Sequence, residues 1–337
     1  MMLRVGVIGA TGYTALELFR ILLRHPQVRV TRATSRSDSG TRLDSVHAGL
    51  RGQFDLTLTD FNIDDFTAHV DVAFCCLPHA AASPVVKQLL DAGIRTIDFS
   101  ADYRLDSAAE FETIYHAPHA DAERVGQIPY GLPELFAENI RQAPAVANPG
   151  CFPTSVILPL APLLRSELIE INDIIVDSKT GVSGGGRTPK LGFHFPECNE
   201  SVSAYGVGTH RHRPEMETIL RRATGISPSI IFTPHLIPMD RGILSTIYVR
   251  PKTGIGVDTV VQLWRGTFAN APFVRISDAL PATKDVAGTN YCDLAVRAVG
   301  ARLVIVSAID NLIKGASGAA VQNFNLMCGF PETTALL

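Results

Sequence analysis

Val5-Gly6-Val7-Ile8-Gly9-Ala10-Thr11-Gly12-Tyr13-Thr14 decides the fold. Its first four residues read as a short apolar strand. Gly6, Gly9 and Gly12 follow a G-x-x-G-x-x-G spacing, and the turn runs from Gly9 to Thr14. A helical pattern follows, with Leu16, Leu18, Phe19, Leu22 and Leu23 as its apolar stripe, ending near His25-Pro26. Val28-Arg29-Val30-Thr31 then opens a second strand. Strand, glycine turn, helix and strand make a dinucleotide-binding unit, because glycines let the backbone approach a pyrophosphate and the helix N-terminus holds it. The other reading is a glycine turn in some different α/β unit.

Working outward, the second strand closes at Ala33-Thr34-Ser35-Arg36-Ser37. An acid that would bind a ribose hydroxyl is missing from this strand end. A serine, an arginine and a serine stand there, so NADP is expected over NAD, with Arg36 pairing a 2′-phosphate. Val70 to Leu77 reads as a buried strand carrying Cys75 and Cys76 as packing residues, and Ala80 to Ala92 as a helix stopped by Gly93. His79, past that strand's end, is read as a loop histidine rather than a cofactor contact. Ile94 to Ser100 is the next strand. The alternation predicts an α/β fold with a mostly parallel, doubly wound sheet.

Asn148-Pro149-Gly150-Cys151-Phe152-Pro153-Thr154 places a cysteine where a turn gives way to a helix. Pro153 suits a first helical turn. A thiol there sits among unpaired N–H groups at the positive end of the helix dipole, which favours the thiolate and can hold an oxyanion. That describes a covalent nucleophile; the plainer reading is a small buried hydrophobe. Further on, Ile174 to Ser178 is a strand leading into Lys179-Thr180-Gly181-Val182-Ser183-Gly184-Gly185-Gly186-Arg187, a loop rich in N–H groups, hydroxyls and cations that fits an anion or a flexible linker equally. His210-Arg211-His212-Arg213-Pro214-Glu215 approaches a helix whose first turn holds Pro214 and Glu215. A metal at His210 and His212 lacks further ligands at a fitting spacing. Arg241 precedes a glycine and a strand-forming run and can bind a carboxylate or a neighbouring acid.

Composition bounds the class. The chain has 337 residues, 46% hydrophobic and 19% charged, with net charge −3. That is a globular chain of two ordinary domains, without a nucleic-acid surface or a polybasic membrane patch. Six cysteines show no metal-type pairing and no disulfide density, as expected of free thiols in a reducing cytoplasm. Met1-Met2-Leu3-Arg4 runs straight into a strand, with no signal peptide expected. The longest apolar runs are broken by Pro159 and Pro162, too short to span a membrane.

Taken together, Gly9-Ala10-Thr11-Gly12-Tyr13, Pro149-Gly150-Cys151, Ser183-Gly184-Gly185-Gly186-Arg187, Tyr205 through Glu215, Pro234-His235 through Gly242-Ile243, and Asp310-Asn311-Leu312-Ile313-Lys314-Gly315-Ala316 resemble the N-acetyl-gamma-glutamyl-phosphate reductases over nearly the whole chain. The chain is more loosely similar to aspartate-semialdehyde and glyceraldehyde-3-phosphate dehydrogenases. Phe152 departs from the tyrosine common in the family, a change that keeps the ring.

The resemblance implies a Rossmann-type NADP-binding domain over 1–149, completed by a C-terminal helix at about 311–337. It also implies an α+β catalytic and oligomerisation domain over 150–310. The activity implied is NADPH-dependent reductive dephosphorylation of N-acetyl-gamma-glutamyl phosphate to N-acetylglutamate 5-semialdehyde, in arginine biosynthesis. Cys151 is then the nucleophile that forms a thioester. His210 is the acid/base, with His212 as the fallback. Cofactor contacts fall on Gly9, Thr11, Gly12, Tyr13, Thr14, Ser35, Arg36 and Asn311. Substrate contacts fall on Ser183, Gly184, Arg187, Arg211, His212 and Arg241. The partners expected are the acyl phosphate, inorganic phosphate and further copies of the chain as a dimer or tetramer, with no metal, nucleic acid or membrane. Competing readings are the same chemistry on aspartyl or N-acetyl-aminoadipyl phosphate, and a non-catalytic NADP sensor.

Overall fold

The computed structural model describes residues 2–337. These residues divide into two compact units, 2–149 with 316–337 and 150–315.

In the first unit, β1 (Leu3–Ile8), β2 (Val28–Thr34), β3 (Val72–Cys75), β4 (Arg95–Asp98) and β5 (Ala145–Ala147) form one parallel sheet in the order β2-β1-β3-β4-β5. The chain leaves β1 on one side for β2 and returns on the other for β3. A doubly wound sheet opens its ligand crevice where the order reverses, beyond the C-terminal ends of β1 and β3. The glycine turn stands at that place.

Helix Tyr13–Leu22 buries Leu18, Phe19, Ile21 and Leu22. Leu23, expected on the buried stripe, is exposed, and Leu16 is half-buried. Glu17 takes an inner position instead, held by Arg20 at 2.6 Å. The helix expected from Ala80 starts later, at Ser83, and runs to Asp91. Ala80 lies at φ +63°, and the Asp102 carboxylate accepts from the N–H groups of Ala80 at 2.8 Å and Ser83 at 2.9 Å. A remote carboxylate thus sets a start that local propensity cannot show.

Helix Gly318–Cys328 is buried from Gly318 to Met327, amides included. Asn323 donates to Gly131 O at 2.8 Å and to Asn148 Oδ1 at 3.1 Å. Asn148 in turn donates to Ala316 O at 3.0 Å. Asn325 bonds the ring of His25 at 3.0 Å. The amide nitrogens of Asn323 and Asn148 and the amide oxygen of Asn325 are thus paired, whereas Asn323 Oδ1 is buried without a hydrogen-bond partner.

The second unit holds β6 (Ile174–Thr180), β7 (Ser203–Ala204), β8 (Ile230–Leu236), β9 (Ile243–Val249), β10 (Val274–Ile276), β11 (Cys292–Val299) and β12 (Arg302–Ile309). They form a mixed sheet in the order β10-β11-β12-β9-β6-β8-β7. Strict alternation on β6, β8 and β9 buries every second residue, from Ile174 to Thr180 on β6, under helices Cys151–Arg165, His212–Thr224 and Val257–Thr267. The opposite face stays partly open, with Ile175, Ile231, Leu244, Tyr248, Val304 and Val306 on it.

Helix Cys151–Arg165 runs unbroken through Pro159 and Pro162. An interior proline costs about 3 kcal/mol in an isolated helix. Here the helix is buried from Phe152 to Leu164, and the fully buried Trp264 donates its indole N–H to Pro159 O at 3.0 Å. Tertiary packing overrides local propensity.

Candidate active site

The first unit presents a nucleotide cradle. Gly9 lies at φ +79°, and a Cβ there would stand 2.6 Å from Cys76 O, so the turn admits only glycine. Gly9 N and Ala10 N both donate to Thr34 O, at 3.1 and 2.9 Å. The buried ring of His47, unremarked in the sequence, hydrogen-bonds Ala10 O at 2.8 Å and fixes the turn from behind. Gly12 is the N-cap of helix Tyr13–Leu22, in extended backbone, with no side-chain cap and no acid in the first turn. An uncapped helix head behind a glycine-only turn fits a pyrophosphate. Thr11, Gly12, Tyr13 and Thr14 frame this head. Ser35 is buried and Arg36 exposed at the end of β2.

The acid-free reading of this strand end needs correction. Ser35 Oγ donates to Asp38 Oδ2 at 2.9 Å, and Ser37 Oγ to the same oxygen at 2.6 Å. The chain turns after Ser37 and folds a carboxylate back onto both serines. Counting along the strand misses it because the acid returns through a turn. His79 accepts from Ala101 N at 2.9 Å, a loop-bracing bond.

The second unit gathers the chemistry-bearing groups. Cys151 is the first residue of its helix, with Gly150 as N-cap in extended backbone and no side-chain cap. Thr154 N donates to Gly150 O at 3.0 Å and closes the first turn. Pro153 has no N–H, and Gly150 N donates to Glu215 Oε1 at 2.9 Å. The N–H groups of Cys151 and Phe152 are therefore the remaining donors of the helix head that have no acceptor within the helix. Gly315 packs on the cysteine so tightly that a Cβ there would come 2.7 Å from Cys151 Cβ. One turn below, Ser155 Oγ donates to Phe152 O at 2.9 Å and meets Ser245 Oγ at 2.7 Å, which meets Ser178 Oγ at 2.7 Å. This buried row of hydroxyls locks the helix to β6 and β9.

Phe152 carries the histidines against the cysteine turn. Its ring lies 5.6 Å from His210, 5.8 Å from His212 and 5.2 Å from Phe232. His210 also touches Tyr205 at 5.5 Å and His212 at 4.9 Å. Burial, and then the Arg211 charge, pull the His210 imidazole down to about 4. Its Nδ1 accepts from His212 N at 3.1 Å, so the neutral ring carries its proton on Nε2. The Tyr205 hydroxyl is pushed up, first by burial and then by the nearby Cys151 sulfur. Tyr205 and Phe232 are site residues that sequence reasoning passed over; the run Tyr205 to His210 offered the only signal.

The glycine-rich loop is more ordered than a linker. Lys179 belongs to β6 and pairs with Asp177 at 2.8 Å, and residues Val182–Gly185 form a 3-10 turn. Ser183 Oγ donates to Asp240 O at 2.6 Å and accepts from Asn311 Nδ2 at 3.0 Å. Asn311 Oδ1 accepts from Gly242 N at 2.7 Å. Ser183 and Asn311 thus brace two loops against each other. Arg241 lies 3.6 Å from the buried carboxylate of Asp310. Gly184, Arg187 and Arg211 are exposed, and His212 is half-buried. Among the described residues, no cluster of His, Cys, Asp or Glu is arranged to hold a metal, no disulfide links the cysteines, and no helix is long and apolar enough to cross a membrane.

A parallel nucleotide-type unit and a mixed-sheet unit with a cysteine at a helix head define a class of two-part α/β oxidoreductase. Residues 4–143 match the semialdehyde dehydrogenase NAD binding domain, and residues 151–311 the semialdehyde dehydrogenase dimerisation domain. An N-acetyl-gamma-glutamyl-phosphate reductase of Rhodopirellula baltica is 56% identical over 99% of this chain and 98% of its own length. One from Desulfotalea psychrophila is 46% identical over the same shares. The chain belongs to the N-acetyl-gamma-glutamyl-phosphate reductase family. In fold it is similar to aspartate semialdehyde dehydrogenase II of Vibrio cholerae, with TM-score 0.74 and 18% identity over 98% of this chain and 99% of that one. The enzyme of Candida albicans, solved with NADP, gives TM-score 0.74 at 16% identity, covering 97% and 99%.

Proposed function

We propose that the protein reduces N-acetyl-gamma-glutamyl phosphate to N-acetylglutamate 5-semialdehyde and inorganic phosphate, in arginine biosynthesis in the cytoplasm, through a thioester on Cys151. The observation that carries this reading is the sulfur at an uncapped helix head, with Tyr205 near it and His210 packed on Tyr205 and on the ring of Phe152, the next residue, in a chain of this family.

The Cys151 thiolate attacks the acyl carbon; a carbon–sulfur bond forms, and the carbon–oxygen bond to phosphate breaks. NADPH, when bound, supplies the hydride that reduces the thioester. The chain's own residues hold the oxygen that becomes negative: the N–H groups of Cys151 and Phe152 point along the positive end of the helix. His210 adds its Nε2–H as a neutral donor, since a ring that titrates near 4 carries no charge at neutral pH. Collapse of the tetrahedral centre breaks the carbon–sulfur bond and returns the thiolate. This refines the acid/base expectation: His210 acts chiefly by donating a hydrogen bond, with His212 fixing its tautomer. Arg187, Arg211 and Arg241 supply positive charge for the substrate's carboxylate and phosphate, while Ser183 and Gly184 shape the loop between them.

Gly9, Thr11, Gly12, Tyr13 and Thr14 would hold the cofactor pyrophosphate, and Ser35 with Arg36 the 2′-phosphate. Asn311, tied to Ser183 and Gly242, supports the site from within its own unit. The half-open sheet face bearing Ile231, Tyr248 and Val304 is the surface on which a second copy packs, as expected of a dimerisation domain.

The test is to mix enzyme with the acyl phosphate without reductant, quench, and map the adduct by mass spectrometry. An N-acetylglutamyl group on Cys151 is expected, and Cys151→Ser should lose at least about a thousandfold in turnover while keeping its affinity for NADPH. An adduct on another side chain, or an active serine variant, overturns the proposal. Running aspartyl and N-acetyl-aminoadipyl phosphates in parallel decides the chain length of the substrate.

A further inference from the structure

Two neighbours in sequence, Asp310 and Asn311, both reach the turn that carries Arg241. They follow β12 and are 0% and 2% exposed. Asn311 holds the main chain of that turn: its Oδ1 accepts from Gly242 N at 2.7 Å, and its Nδ2 donates to Ser183 Oγ, which donates to Asp240 O. Asp310 stands beside the side chain, with Oδ2 3.6 Å from Arg241 Nη1. Asp240 lies 3.6 Å from Arg241 Nε, but it is 78% exposed and screened by solvent. Arg241 has other contacts as well.

Both carboxylate oxygens of Asp310 are used. Oδ1 accepts from Leu312 N at 2.8 Å and Ile313 N at 3.0 Å, and Oδ2 from Gly288 N at 2.7 Å. An amide would supply one acceptor oxygen where two are needed. Three N–H donors and a guanidinium compensate the carboxylate for leaving water. Its separation from Arg241 exceeds the about 2.7–3.2 Å of an N–H···O bond. The acid therefore steers the guanidinium by charge and does not lock it in a two-bond pair. The main chain of Asp310 faces the nucleophile's side. Its O accepts from Gly315 N at 2.9 Å, five residues on, the spacing of a π-turn. A Cβ on Gly315 would stand 3.3 Å from that oxygen, 3.2 Å from Cys151 Cα and 2.7 Å from Cys151 Cβ. One buried residue thus adjoins the arginine through its side chain and the glycine that backs the cysteine through its main chain. All four residues belong to the same compact unit.

We propose, on the reading of Cys151 as the nucleophile and Arg241 as a substrate contact, that Asp310 is a positioning residue: it sets the Arg241 guanidinium, and with it the anionic group of the substrate, at a fixed place relative to the sulfur. An acid beside an arginine also weakens the pull of that arginine on an anion. Orientation outweighs this loss, because three N–H groups fix the carboxylate and part of its charge is already met by them.

The test is a double-mutant cycle on steady-state turnover of the acyl phosphate with NADPH. Asp310→Asn keeps the shape, leaves one acceptor oxygen and removes the charge. KM for the acyl phosphate should rise about tenfold, with kcat within about threefold and affinity for NADPH unchanged. Arg241→Ala should raise KM at least as much. On that background Asp310→Asn should change KM by less than about twofold, because the group it acts through is gone. A merely structural brace would show its full effect on either background. Additive effects overturn the proposal, as does an unchanged or lowered KM in Asp310→Asn alone. Should the asparagine variant fail to fold, Asp310→Glu, which keeps the charge and displaces it by one methylene, enters the cycle in its place with the same expected and overturning results. A parent that does not turn over the acyl phosphate overturns the function proposed for the chain; a parent that does, with an additive cycle, overturns the role of Asp310 alone.

Discussion

Two helices of this chain begin in the same way and stand in different surroundings. Helix Tyr13–Leu22 follows Gly12 at φ −77° and ψ 166°, and helix Cys151–Arg165 follows Gly150 at φ −69° and ψ 150°. Both glycines are N-caps without a side chain to satisfy the first N–H groups. The first head has no acid in its turn, and its glycine partner Gly9 sits where a Cβ would meet Cys76 O, an arrangement we propose for a cofactor phosphate. The second head bears a cysteine, the nucleophile we propose, and has a glutamate bonded to its cap N–H. A helix terminus is one electrostatic device. Whether it receives a diffusing phosphate or activates a resident sulfur depends on what the neighbouring residues leave open.

The contrast breaks most sharply at His210. His210→Asn should lower kcat about 100-fold or more, and His212→Asn far less, measured at saturating substrate. The opposite ranking would reassign the donor. The two variants also differ in stability. The imidazole titrates at about 4 when folded and near its ordinary 6.5 when unfolded. Between those values the unfolded chain binds the proton and the folded chain does not, so stability is lost as pH falls from 6.5 toward 4. Thermal melts at pH 7 and pH 5 should differ less in His210→Asn than in the parent.

The next effect is expected from Gly9→Ala. The left-handed backbone alone costs about 1–3 kcal/mol, and the added carbon meets Cys76 O. Calorimetric affinity for NADPH should fall at least about tenfold, with Cys151 alkylation unchanged. Gly315→Ala inverts that pattern: it crowds Cys151 Cβ and should cost about tenfold in kcat with NADPH affinity intact. If both substitutions weaken both readouts alike, the two helix heads do not serve separate tasks.

The smallest effect belongs to the end of β2. Arg36→Ala should weaken NADPH binding about tenfold and NADH binding hardly at all. Asp38→Asn should strengthen NADPH binding a few-fold, since it frees Ser35 and Ser37 from an acid that repels phosphate. Equal effects on both cofactors would remove this corner from 2′-phosphate recognition.

Much of this was legible in the chain, and the exceptions share a cause. The glycine spacing, the alternation on β6, β8 and β9, and Cys151 at a helix start all follow from local geometry. The misplaced start of helix Ser83–Asp91, the acid at Asp38 and the bond of Glu215 to Gly150 depend on a side chain reaching back from another part of the fold. Pro159 and Pro162 interrupt the apolar run in the sequence, yet the helix passes through both, and only the packing around it shows why. Gln322, Asn323 and Asn325 drew no comment from the sequence, yet all three are buried with partners far away in sequence.

That last helix has a consequence for how the molecule is made. A nascent chain that has reached Pro149 has all five strands of the parallel sheet but lacks the segment from Gly318 to Met327 that its core requires. Maturation of the cradle must wait until the intervening unit has emerged from the ribosome and Asn323 can reach Gly131. The region translated first is therefore among the last to be finished.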